Sequence, residues 1–442
     1  MNLPFSLTPS RAASVAWPEP RALTSVVFRL YPALTNPPFR MLWLGLLPAT
    51  MSFQMGMVVR PYVAYALTGE ASALGLVSVA SGLPMLLLCL VGGVAADRLP
   101  RRSVLMWTQI VFLVSSVLPA VLLFTGHLEI WTLLLASLLQ GAAMPFNMPA
   151  RQAYIAQVAG RAHLANAVAL NNAGANFGRL VGPAVAGVLL AVPEIGIGLA
   201  FSVMALMFLA ALATLFRLPA GGPTQSTTSV ARPGGLQQLK EGLSYTRSSP
   251  ALLAMLAMGA AMAIFGQQYQ TFMTLFSERV FSVGASGLGL LMAMSGVGAL
   301  AGAVTIAGAT RIGRPAALQV IVGVAFALVL IGFSLAPTFL VALPLLTLVG
   351  FFGAAFMGLN STLIMSNAPS HLYGRIMSIY MLTFAAQPLG AVPLAWVADA
   401  AGAPASMVVA GSAVLAIVLG IGVFFAPYRE IRWTASTPER AA

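Results

Sequence analysis

Followed for its apolar and polar positions, the chain is a succession of long apolar runs separated by short polar stretches. A helix needs roughly 20 mostly apolar residues to cross the hydrocarbon core of a bilayer. Runs of that length fall at 41–66, 73–95, 103–125, 129–150, 165–191 and 196–216. They return at 251–276, 287–309, 316–335, 339–366, 375–398 and 406–425. The pattern predicts an all-α membrane protein of twelve transmembrane helices, with ends defined to within several residues.

Residues 217–250 are the longest polar interruption between runs. Their first part, GGPTQSTTSVARPGG, has the composition of a flexible linker. Leu236, Leu239, Leu243 and Tyr245 then suggest a short amphipathic helix on the membrane surface. The expected organisation is an N-terminal tail and lead-in at 1–37, a six-helix bundle at 38–216, the linker at 217–250, a second six-helix bundle at 251–427 and a tail at 428–442. The halves also repeat. ASALGL at 71–76 returns as ASGLGL at 285–290, and the same shift carries Ser81-Gly82 onto Ser295-Gly296. His163-Leu164 maps near His371-Leu372.

Composition and charge sharpen this picture. Hydrophobic residues make up 59% of the chain and charged residues 7%, against about 25% charged in a soluble domain. The net charge of +12 follows the positive-inside pattern. Arg98, Arg101, Arg102, Arg161, Arg217, Arg232, Lys240, Arg311, Arg314 and Arg375 fall in segments that share a side with the termini. The opposite loops carry Glu70, Glu129, Glu194, Glu278 and Asp399. Both termini are therefore expected in the cytoplasm of a bacterial inner-membrane protein, and the basic excess calls for no nucleic-acid partner. Cys89 is the single cysteine, so neither a disulfide framework nor a thiolate metal site is expected. The first 35 or so residues lack a cleavable apolar segment and read as a tail rather than a signal peptide.

Residues 93–102 read Gly-Val-Ala-Ala-Asp-Arg-Leu-Pro-Arg-Arg. This resembles the G-x-x-x-D-R-x-x-R-R loop motif of the major facilitator superfamily. In physical terms Gly93 permits close helix approach, Asp97 can cap or pair at a helix end, and Arg98, Arg101 and Arg102 can anchor at anionic headgroups. The corresponding loop of the second half keeps Arg311 and Arg314 but lacks the acid. In the fifth run, Gly178, Gly182, Pro183 and Gly187 look like the G-x-x-x-G-P-x-x-G-G motif of that superfamily's antiporters, with Ala186 departing from it. In the fourth, Ser137-Leu-Leu-Gln140-Gly141 stands where proton-coupled drug exporters usually carry R-x-x-Q-G. The arginine is missing, which leaves a proton relay of that type without its cation. FRMLWLG at 39–45, LTGEASALGLV at 67–77, PARQA at 149–153 and LYGRIMSIY at 372–380 resemble the branch containing enterobactin-type siderophore exporters and macrolide-efflux relatives.

The resemblance implies two six-helix bundles related by pseudo-twofold symmetry, alternating access, and a central cavity lined mainly by helices 1, 4, 7 and 10. It implies secondary active export of a small amphipathic molecule, siderophore-like or drug-like, coupled to a proton, by a monomer without cofactor. An importer or a lipid flippase on the same fold is the alternative. An ATP-driven pump is not read here, because the phosphate-cradling loop ends in Gly-Lys-Ser/Thr and Lys240 follows Gln-Gln-Leu. An enzyme is not expected either, since His127, His163 and His371 fall at helix ends or loops.

Polar residues inside the runs are the candidates for a substrate cavity. Gln140, Met144, Asn147 and Arg151 share one face of helix 4, and Asn172, Asn176, Arg179 and Pro183 one face of helix 5. Helix 7 offers Gln267, Gln270, Thr271 and Thr274, helix 10 offers Asn360 and Ser361, and helix 1 adds Gln54 and Arg60. An arginine near a helix centre costs roughly 2.5–3.5 kcal/mol on insertion scales. Arg60, in the outer third of helix 1, is expected to reach outward to the interface. Arg179 has less room and calls for a backbone carbonyl, water or an anionic substrate. Asp97 is expected to act as a conformational latch with Gly93, Arg98, Arg101 and Arg102, its partner being Arg151 or a facing helix N-terminus. Glu278, which follows the helix 7 stripe, is the first choice as proton acceptor.

Topology gives the first test. A tag within 217–235 and one at the C-terminus should be protected in intact cells, and one beside Glu194 should label from outside. Labelling of the linker tag from outside would disprove the twelve-helix reading.

Overall fold

The computed structural model describes residues 31–219, 243–308, 314–369, 372, 376–377, 379–380, 382–383 and 386–429. Regular structure among them is helical throughout. The first half holds α1 (Pro37–Thr68), α2 (Ser72–Arg98), α3 (Arg101–Phe124), α4 (Ile130–Gly160), α5 (Asn166–Leu190) and α6 (Gly196–Phe216). The second holds α7 (Pro250–Val280), α8 (Gly284–Gly308), α9 (Pro315–Ser334) and α10 (Phe339–Asn367). The helix Pro388–Phe424 breaks at Gly402, with φ 89° and ψ 162°, into α11 (to 401) and α12 (403–424). Helices α4 and α5 also abut, at Gly160 with φ 70° and ψ 166°. Both breaks use a backbone conformation that glycine alone adopts readily. Among the described residues eleven helices are long and apolar enough to cross a membrane. The first ten runs and the twelfth appear as helices, the eleventh is described chiefly from Pro388 on, and glycine breaks separate α4 from α5 and α11 from α12.

Local chemistry sets several ends. Asn36 caps α1 by accepting from the Phe39 N–H, and Pro37 opens the helix. The helix closes on left-handed Gly69, whose N–H reaches the Tyr65 carbonyl at 2.7 Å. Helix α7 is discontinuous: a 3₁₀ turn at Gly266–Gln268 and a π turn at Phe276–Val280 interrupt it. At the first break the Gln268 side chain donates to the carbonyls of Ile264 (3.0 Å) and Gln387 (2.6 Å), which supplies backbone oxygens with partners inside lipid depth. Residues 243–248 of the expected linker helix are helical, whereas Leu236, Leu239 and Lys240 lie outside the described residues, as do His371, Arg311, Arg375 and both chain ends.

The internal repeat marks where the halves meet. Gly75 of α2 packs on Ala391, Val392 and Ala395 of α11, and its repeat mate Gly289 of α8 packs on Ala184 and Gly187 of α5. Gly82 meets Pro388 of α11, and its mate Gly296 meets Leu180 of α5. Within each half the equivalence continues, with Gly141 of α4 against the Ser81 backbone and Gly350 of α10 against the Ser295 backbone. Small residues at these positions allow backbones to approach where lipid supplies no hydrophobic push between helices.

The acidic end of the bundle is termed outer below, following the arginine distribution. There two charged side chains tie the halves together. The Asp399 carboxylate of α11 accepts from the N–H groups of Ala71 (2.7 Å) and Ser72 (2.8 Å) at the start of α2. This places a negative charge at a helix N-terminus, where backbone donors and dipole favour it. Arg279, on the π turn of α7, donates to the Tyr65 hydroxyl and the Gly69 carbonyl at the end of α1, and its guanidinium lies 5.1 Å from the Tyr65 ring centre.

The Gly187–Gly289 crossing should control closure of this end. A Cβ on Gly187 would fall inside the van der Waals shell of the Gly289 Cα. Gly187→Leu should therefore hold the outer ends apart, lengthening by several ångströms (about one side chain) the distance between spin labels at Glu70 and Ala400 and cutting transport about tenfold. An unchanged distance distribution would show that the crossing does not limit closure.

Candidate functional site

The polar residues of the spans separate into two groups once their surroundings are seen. The helix 4 stripe turns into its own half. Asn147 is buried and donates to Thr108 of α3 at 2.7 Å, and Met144 packs beside Phe112 and Phe208. Gln140 is buried and accepts from Arg60. Asn360 of α10 likewise faces inward: it accepts from Gln319 of α9 at 2.7 Å, lies beside Tyr380, and Gln319 in turn accepts from Tyr428 at 2.8 Å. These groups bond helix to helix inside one half, and Asn147 and Asn360 give up their expected place on a cavity wall. Periodicity puts residues on one face but does not say which neighbour that face meets.

Arg60 corrects a second expectation. It is 2% exposed and does not reach the interface. Its guanidinium points into the first half, donating to Gln140 of α4 and, at 3.3 Å, to Ser115 of α3. A guanidinium this far from water keeps its fork engaged by polar neighbours instead of extending along the helix.

Arg179 behaves differently. It is exposed, as is Asn172 two turns away on α5, with Asn176 half-buried between them. Across the divide Arg179 is within electrostatic reach of Tyr269 on α7. The Tyr269 hydroxyl pairs with Ser295 of α8 at 2.8 Å, and Gln270 bonds to Gln267 at 3.0 Å and approaches Tyr269 at 3.4 Å. Gln267, Gln270 and Thr271 are half-buried, while Thr274 is buried. On α5 the polar side chains of Asn172, Asn176 and Arg179 thus lie at least partly open, and on α7 Gln267 and Gln270 gather around the buried Tyr269. Gln54, half-buried on α1, lies against Gly182.

The α5 motif explains how Arg179 is positioned. Gly178 and Gly182 pack on Thr50, Met51 and Gln54 of α1, whereas Gly187 packs on α8. Pro183 is buried between them. One small-residue stripe therefore serves α1 over its inner part and the opposite half at its outer end, and the bulky Arg179 is left on the remaining face.

Of the expected latch, Gly93, Asp97 and Arg98 have backbone in α2, but their side chains lie outside the described residues. Arg101 donates to the Ala153 carbonyl at 3.0 Å and to Gln157 at 3.1 Å, both on α4. Arg102 donates to the Leu215 and Phe216 carbonyls at 2.9 and 2.8 Å, capping the C-terminus of α6. These two arginines engage protein carbonyls, a correction to the headgroup anchoring expected of them. Arg151 is half-buried on α4. Glu278 sits at the outer seam beside Tyr62 of α1, with which it shares a side-chain hydrogen bond, and its buried Oε1 has no partner at hydrogen-bonding geometry among the described residues.

Sequence reading passed over Tyr269, and it placed Asp399 and Arg279 at the outer end without their partners across the halves. Tyr269 falls inside the Gln267–Gln270 stripe and could have been read with it. For Asp399 and Arg279 the only signal was an ionised group at a helix end, which most solvated ends also show. Two crevices open toward the bilayer and away from the polar side chains of α5 and α7. One of about 450 Å³ lies between α2, α3 and α4 around Trp107 and Phe146, and one of about 280 Å³ lies between α1, α3 and α6 around Val63 and Leu123.

Known proteins resemble this chain over most of its length. The multidrug efflux pump Tap of Mycolicibacterium fortuitum is 29% identical over 86% of this chain and 93% of its own. The enterobactin exporter EntS of Citrobacter koseri is 26% identical over 78% of this chain and 81% of its own. Among solved structures, a bacterial homologue of the human lysosomal transporter Spinster superposes with a TM-score of 0.73 at 16% identity, covering 92% of this chain and 99% of that one. The transmembrane secretion effector family matches residues 30–438. With that match spanning nearly the whole chain, on twelve helices in two repeated halves, the protein belongs to the transmembrane secretion effectors of the major facilitator superfamily and is a membrane transporter, not an enzyme.

Proposed function

We propose that this chain is a secondary active efflux pump that exports a small amphipathic molecule, anionic or strongly electronegative, by alternating access with the proton as coupling ion. The observation that carries the reading is Arg179, an exposed cation on α5 of the first half that lies within electrostatic reach of Tyr269 on α7 of the second. All ten acids of the chain lie at helix ends, loops or tails, so no mid-membrane carboxylate competes for it. A guanidinium there can pair two oxygens of a cargo at once. The tyrosine ring beside it offers an apolar face with a polar tip.

Outward direction is supported by the relatives, named as a multidrug efflux pump and an enterobactin exporter. Alternating access is supported by the outer seam. Asp399 and Arg279 join the halves through exposed bonds, of a kind that parts at modest cost. The half of the cycle that closes the inner end would fall to Gly93, Asp97, Arg98, Arg101, Arg102 and Arg151. Glu278 is the proposed proton acceptor, because its buried, unpartnered oxygen lies at the same seam as those bonds. The pump works as a monomer in the bacterial inner membrane with its termini in the cytoplasm.

Arg179→Met should cut export of an anionic substrate by at least about tenfold, or about 1.4 kcal/mol of lost stabilisation, in proteoliposomes at matched protein content. Arg179→Lys should retain part of the activity. Wild-type export by Arg179→Met would make Arg179 a packing residue and remove the anionic-cargo reading. Glu278→Gln should abolish accumulation against a gradient while leaving substrate exchange in the absence of a pH difference near wild type. Intact pH-driven accumulation would move the proton site elsewhere.

A further inference from the structure

Arg60 brings a full positive charge into the interior of the first half, and among the described residues no group bonded to it carries the opposite charge. Its Nη1 donates to Gln140 Oε1 and its Nη2 to Ser115 Oγ. The Ser115 hydroxyl hydrogen is already given to the Phe112 carbonyl at 2.7 Å, so Ser115 serves Arg60 as an acceptor only. Arg60 also fixes which way the Gln140 amide lies, because only the oxygen can receive a guanidinium N–H. The amide nitrogen is turned away as a consequence.

Three buried polar atoms of this cluster then lack a hydrogen-bond partner among the described residues: Arg60 Nε, Gln140 Nε2 and Ser137 Oγ. Ser137 is 1% exposed and lies one turn from Gln140 on the same face of α4. The first two atoms can only donate, and the serine hydroxyl can donate as well. Buried donors without acceptors are rare and call for a partner. A neutral acceptor would answer the donors but leave the buried charge unmatched; an anion answers both.

We infer that Arg60, Gln140 and Ser137 form a binding site for a small monovalent inorganic anion of the size of chloride, inside the first half and separate from Arg179. A compact, singly charged ion suits the site because one charge matches Arg60 and a larger oxyanion would bring more acceptor oxygens than three donors can satisfy.

Equilibrium binding of radiolabelled chloride to the purified full-length protein, prepared in gluconate, tests the site. Wild type should bind about one chloride per chain, saturably, and melt at a higher temperature in chloride than in gluconate. Gln140→Glu is nearly isosteric and supplies a carboxylate to Arg60. It should weaken chloride binding at least about tenfold while making the melting temperature independent of chloride. Arg60→Met should lose binding as well, and if it does not fold, Gln140→Glu decides alone. Absence of saturable binding in wild type would mean that water fills the site, and the inference falls. It falls equally if Gln140→Glu binds chloride like wild type, or if binding disappears with Arg179→Met instead.

Discussion

Helices in a bilayer gain little by hiding from their surroundings, because lipid tails are as apolar as leucine. Contact between them rests on close packing and on polar bonds from helix to helix. In this protein backbones approach closely within each half, at Gly141, Gly298 and Gly350, and again on the divide between the halves, at Gly75, Gly82, Gly187, Gly289 and Gly296. Each of those positions brings one backbone against a neighbour. Such surfaces fit or do not fit, with few intermediate arrangements, which suits a molecule that must alternate between closed and open ends.

The repeat gains its meaning from this geometry. A shift that carries Gly75 onto Gly289 and Gly82 onto Gly296 carries one inter-half crossing onto the other. The same shift pairs Ser81 with Ser295, each of which receives a glycine from within its own half. Helices α2 and α8 are thus equivalent struts, each gripped on one side by its own bundle and on the other by the opposite one. Asp399 and Arg279 add charge-assisted bonds where those struts begin and where α1 ends. They lie toward solvent, where a bond can be exchanged for water.

The arginines of α1 and α5 show how one residue type takes two roles in the same membrane. Arg60 is enclosed by α3 and α4, and its surroundings are short of negative charge. Arg179 projects from the side of α5 that its glycines leave uncovered, within electrostatic reach of a tyrosine of the other half. The first is held by polar neighbours of its own half. The second is left open, which is why the proposed cargo role falls to it.

The amino-acid sequence by itself determined the number and place of the spans, the repeat, the family and the stripe of small residues on α5, because each is a property of spacing or composition along one helix. It also told which polar residues share a face. Tertiary structure alone decided what those faces meet: Asn147 and Asn360 bond within their halves, Arg60 turns inward, and Tyr269 pairs with Ser295. Pairings such as Asp399 with the start of α2 join residues more than 300 positions apart. No local pattern encodes them, since the energy of a polar group in lipid depends on the neighbour that arrives from elsewhere in the chain.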